Sequence, residues 1–189
     1  IALYLDEIYP EHQLLSADQH LREQALAVDA VSNELGQHVR RWGLALTLSI
    51  SSEPLEIMIG EKGYLRRFEK FSKPILKSLV EKNYQLNDEN VAQSKLKLDE
   101  LTTQLNQTLL ENGGQYMVGN RFGLADIAVC AMLAPLLELV GTPWENEYAE
   151  SQSEAFTEFK QHLMGQPLGQ YVAQIYATKR NARVDWRGI

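Results

Sequence analysis

The sequence predicts an all-α protein, a helical bundle of long and short helices. Three observations lead there. Apolar side chains recur at steps of three and four along most of the chain, whereas no stretch of useful length alternates as a strand would. The run from Ile127 to Leu137 is apolar throughout, which marks a helix enclosed by others. There is no internal repeat and no low-complexity segment, and 189 residues suit one domain, or one domain plus a fragment, with a substantial core.

The first helix is read from Ile1, Tyr4, Leu5 and Ile8, which share one face, with Pro10 after its stop. It starts without an initiator methionine or a capping residue, so upstream sequence is expected to be missing. A turn-rich stretch, EHQLLSADQ, leads to a long helix on which Leu21, Ala25, Val28, Ser32, Leu35, Val39, Trp42 and Leu46 form one stripe. Asp18 or Ser16 is placed to cap it. Ser, Pro and Gly in SISSEPLEIMIGEKG end that helix, while Leu55, Ile57, Met58 and Ile59 argue that part of this segment packs down.

Two short helical pieces are expected next, Tyr64 to Phe71 and Pro74 to Glu81, the second opened by proline. From Asp88 to Leu110 the apolar face is Val91, Leu98, Leu101, Leu105 and Leu109, with Asn87 or Asp88 as cap and Asn112, Gly113 and Gly114 as the stop. The central helix is drawn from Gly123 to about Val140, kinked by Pro135. Helices at Ser153 to Met164 and Pro167 to Thr178 follow, then a basic tail carrying Trp186.

A formal charge of −7 provides no basic footprint, so neither nucleic acid nor an anionic membrane surface is an expected partner. Cys130 is the only cysteine, which rules out an intrachain disulfide and a cysteine-based metal site and suits a reducing, cytoplasmic setting. Inside IAVCAML it reads as a small buried hydrophobe. The apolar runs are short of the roughly 20 residues a bilayer span needs, and no signal peptide is visible. The histidines, His12, His20, His38 and His162, are scattered and read as surface residues. No metal site is expected, since one needs three or four convergent ligands.

The order YLDEIYP, LLSAD, a long helix, and GNRFGLAD heading an apolar helix resembles the glutathione S-transferase family. The similarity runs from the last helix of its N-terminal domain through its C-terminal helical domain. In that family a Gly followed by Ser or Thr, any residue, Ala and Asp forms the capping box of the buried central helix. Gly119, Phe122, Ala125 and Asp126 match, while Gly123 stands at the hydroxyl position, leaving Asp126 to bond back to the Gly123 N–H. Read this way, residues 1–9 are a remnant of the last helix of a thioredoxin-like domain. Residues 10–17 are a linker, 18–180 the helical domain and 181–189 a tail.

The resemblance implies a detoxification enzyme that joins glutathione to small hydrophobic electrophiles, working as a homodimer. It also implies that the glutathione-binding pair, the activating Tyr, Ser or Cys and a cis-proline belong to the N-terminal domain. No catalytic residue is assigned to this chain, which by itself is expected to be inactive. Thiolate formation needs a donor aimed at sulfur to lower a pKa near 8.5. The long helix borders both cleft and dimer interface in the family, so Asn33, Arg40, Arg41 and Trp42 are the candidate substrate contacts. Arg40 and Asn33 share a face with Asp29 and Gly36 opposite the apolar stripe; Tyr64, the RRFEKF segment and Trp186 are candidate lid elements. The alternative is a non-catalytic scaffold, since transferase-like helical domains also serve in translation assemblies.

Overall fold

The computed structural model describes residues 2–50, 55, 68–142, 144–145 and 153–180. Among these there are seven α-helices and no strand: α1 (Ala2–Ile8), α2 (Gln19–Ile50), α3 (Glu69–Asn83), α4 (Asp88–Glu111), α5 (Leu124–Leu137), α6 (Glu154–Met164) and α7 (Pro167–Lys179). A single 3-10 turn, Pro10–His12, follows α1.

Local chemistry sets the helix starts. Asp18 Oδ1 accepts the Leu21 N–H at 3.0 Å at the head of α2, and Asn87 Oδ1 accepts that of Asn90 at 2.9 Å at the head of α4. Ser153 Oγ does the same for Phe156 in front of α6. Pro167 opens α7, where its missing N–H costs nothing. Gly113 and Gly114 take positive φ after α4, the conformation that glycine adopts without strain.

The bundle is wrapped around α5. Ten of its fourteen residues are buried, because α2, α6 and α7 all pack on it. Full burial of a leucine or valine contributes about 1.5–3 kcal/mol, so this enclosed helix is the main hydrophobic asset of the fold. α2 also packs along α4, and α7 bridges α4, α5 and α6. Trp42 of α2 stacks on Phe156 with ring centroids 6.0 Å apart and meets Phe159 edge-on at 5.1 Å, fastening α2 to α6.

Three sequence expectations need correction or fall outside the description. Where two helical pieces were expected, the described residues form one helix, α3, from Glu69, running through Pro74 rather than starting at it. Pro74 lies on the exposed side, so the carbonyl that loses its intrahelical donor is left to solvent. The central helix ends at Leu137, not near Val140, because Glu138 turns left-handed at φ 48° and its N–H closes on the Ala134 carbonyl. Lys160 Nζ holds the Glu138 carboxylate at 2.7 Å in that turn. Ile57, Met58, Ile59, Tyr64, the two arginines that open the RRFEKF segment and the tail with Trp186 lie outside the described residues.

Candidate functional site

The carboxylate of Asp126 sits at the third position of α5, 1% exposed, and collects three donors. The Gly123 N–H donates to Oδ2 at 2.7 Å, the Met117 N–H to Oδ1 at 2.7 Å, and the Tyr171 hydroxyl of α7 to Oδ1 at 2.5 Å. A buried charge is tolerated only when its lone pairs are satisfied, and here the α5 dipole adds to that compensation. The reciprocal half of the capping box is missing because Gly123 has no side-chain oxygen. The reason is steric: a Cβ on Gly123 would stand 2.5 Å from the Leu14 carbonyl oxygen, which accepts the Leu124 N–H at 3.0 Å.

Leu14 belongs to the segment between α1 and α2, and that segment is gripped from both sides. Asp6 of α1, 6% exposed, accepts the N–H of Leu14 at 2.6 Å and of Leu15 at 2.8 Å. Arg121, just ahead of α5, donates to the carbonyls of Gln13 at 2.8 Å and Leu15 at 2.7 Å. α1 is therefore mounted on the head of α5 through side-chain bonds to the main chain of residues 13–15. A small cavity of about 40 Å³ remains under this junction, lined by Leu21, Ala25, Gly119 and Asp126 among others, room for little more than a water molecule.

Asn33 and Arg40 lie on the exposed side of α2, and the Asn33 amide donates to Asp29 Oδ2 at 3.2 Å. Gly36 between them lets α5 approach, its added Cβ falling 2.4 Å from Met132 Sδ and 3.4 Å from Arg40 Nη1. Arg41 and Trp42 turn inward instead. Arg41 Nε donates to the Tyr84 carbonyl at 2.8 Å and Nη1 to Ser94 Oγ at 3.2 Å, while Trp42 is 4% exposed within the aromatic cluster. The four candidates thus divide into an exposed pair, a half-buried arginine and a buried tryptophan.

Sequence reasoning missed Asp6, Arg121, Met117 and Tyr171 at the α5 head, and it placed His38 on the surface. His38 is half-buried and its Nδ1 lies 3.1 Å from Ser94 Oγ. Only the Asp126-to-Gly123 bond is local enough to carry a signal in the sequence; the other bonds at this junction span from 8 to more than 100 residues.

Two groups in the interior carry titratable hydrogens of the kind used in thiol chemistry, and neither fits glutathione. Burial, then the nearby Asp126, pushes the Cys130 thiol far above its ordinary value. Burial and its bond to Asp126 do the same for the Tyr171 phenol, whose proton is already committed to a carboxylate. Neither is poised to deprotonate or hold a sulfur.

A family model described as "Glutathione S-transferase, C-terminal domain" matches residues 69–173, more than half of the chain. Searches of curated proteins and of solved structures give no significant match.

Proposed function

Because this chain belongs to the glutathione S-transferase C-terminal domain family, we propose that it forms the helical half of a glutathione transferase-like enzyme. In this reading it walls the pocket for a small hydrophobic electrophile, and glutathione is held mainly by a thioredoxin-like partner domain. The chain contributes shape and apolar surface, not the group that activates sulfur, so alone it is inactive. The reading includes a homodimer and a cytoplasmic location. Asn33 and Arg40, exposed on α2, are the residues of this chain most available to touch a substrate.

The observation that supports it is the presentation of α1. Leu3, Tyr4, Leu5 and Ile8 of α1, and Tyr9 just after it, are each at least 42% exposed, yet the segment that carries them is fixed to the bundle through Asp6. Five large apolar side chains on a rigid mount suit coverage by a second folded unit. Retention of the full-length protein on immobilised glutathione, with turnover of a chromogenic aryl halide, tests the proposal. Both are expected.

A scaffold role is the second reading, supported by Phe71, Ile75 and Leu79, which form an exposed ridge along α3. A full-length protein that neither binds glutathione nor turns over an electrophile supports that role instead.

A further inference from the structure

Among the described residues, α3 buries little apolar surface against the bundle. Val80 is its one buried apolar residue among those described, and Phe71, Ile75 and Leu79 face outward. Its C-terminal turn is secured by a polar contact, from Arg41 of α2 to the Tyr84 carbonyl. The turn itself carries Gln85 at φ 52°, outside the comfortable range of a non-glycine residue.

That same Arg41 shares an acceptor with a titratable ring. Ser94 Oγ, on α4 and fully buried, lies 3.1 Å from His38 Nδ1 and accepts Arg41 Nη1 at 3.2 Å. With His38 neutral and its proton on Nε2 the bonds close without conflict: the Ser94 hydroxyl donates to the Nδ1 lone pair and its oxygen receives the guanidinium. Adding a proton at Nδ1 reverses the first bond. Two cations then converge on one oxygen, and the serine proton must find another acceptor.

We propose that the His38–Ser94–Arg41 junction is an acid-sensitive latch that releases the α3–α4 turn when His38 becomes charged. Imidazolium repels guanidinium, and as Arg41 withdraws from Ser94 Oγ it pulls on its other bond, to the Tyr84 carbonyl on the more weakly held element. The other charges facing the ring are Glu34, one turn earlier on α2, and Lys97 of α4. Glu34 is exposed and favours the charged ring; Lys97 and Arg41 oppose it. Burial, followed by Arg41, holds His38 below its ordinary 6.5. The sign follows: the folded state prefers the neutral ring, so the contribution is intact above 6.5 and is lost as pH falls through the lower folded value.

Amide exchange on the full-length protein tests this, read between about pH 7.5 and pH 5.5, the span in which a histidine changes charge. Protection factors are corrected for the intrinsic pH dependence. The reporters are the N–H groups of Tyr84, Gln85 and Leu86, which bond to Val80, Lys82 and Glu81. Their protection should drop about tenfold, the equivalent of one pKa unit of repulsion, with a midpoint matching the His38 ring titration seen by NMR. His38→Gln should abolish the step while leaving α5 protected, and Arg41→Ala should leave the turn open at both ends of the range. A turn equally protected throughout, or a step that persists in His38→Gln and in Ser94→Ala, overturns the latch.

Discussion

The hydroxyl of Tyr171 donates to the carboxylate of Asp126, joining the middle of α7 to the first turn of α5 across 45 residues of chain. The bond completes a buried acceptor that also serves Met117 and Gly123, so the carboxylate organises two helices and a loop at one point. Asp126→Ala leaves three donors without a partner, and each buried orphan costs about 1–3 kcal/mol. A loss of about 4–6 kcal/mol is expected, near the whole stability of many domains. Tyr171→Phe removes one charge-assisted bond and should cost only about 1.5–3 kcal/mol. Urea denaturation of the two variants checks the ranking; equal losses would mean that the tyrosine, not the cap, dominates.

At Gly123 a capping argument and a packing argument give opposite signs. A serine there would complete the reciprocal box and add a few tenths of a kcal/mol. Its Cβ, however, would press on the Leu14 carbonyl at 2.5 Å, and backbone cannot swing aside as a side chain can. Gly123→Ser is expected to destabilise by about 1–3 kcal/mol, the usual cost of overpacking. A raised thermal midpoint would show the linker to be more pliable than its bonds suggest.

Asp6 offers a local readout. Asp6→Ala strands the Leu14 and Leu15 N–H groups, and amide exchange at both should rise well ahead of exchange in α5. Limited proteolysis should cut first between α1 and α2. Asp6→Asn keeps an acceptor oxygen for only one of the two N–H groups and should fall between wild type and alanine.

The four candidate substrate contacts are separable by their environments. Trp42→Ala opens a cavity in the aromatic cluster and should cost about 3–5 kcal/mol, so any loss of activity would follow loss of fold. Asn33→Ala and Arg40→Ala alter exposed side chains and should stay within about 0.5 kcal/mol of wild type. A raised KM in either, at unchanged stability, would assign it to the pocket wall. Unchanged kinetics for several electrophiles would remove both from consideration.

Much of the fold was legible because its signals are local and periodic. The stripe from Leu21 to Leu46 marked α2, and the charge-free run after Asp126 marked α5 as enclosed. The Asp126-to-Gly123 bond was readable as an i to i−3 contact. Pro74 misled because proline is commonest at a helix start, whereas here it is tolerated on an exposed face of α3. Gly123 looked like a weakened cap, since nothing in the sequence placed the Leu14 carbonyl against it. Asp6 and Arg121 gave no signal for the same reason: their partners are main-chain atoms of a turn whose path only the assembled bundle defines.

The grip of Asp6 and Arg121 on residues 13–15 has a bearing on how chimeras of this protein should be cut. A crossover placed in the segment after α1 would separate Asp6 from the amides it serves and leave the donor protein's helix on a foreign seat. Recombination ahead of α1 keeps that contact set whole, so graft boundaries there should yield soluble hybrids more often than boundaries drawn at the visible loop.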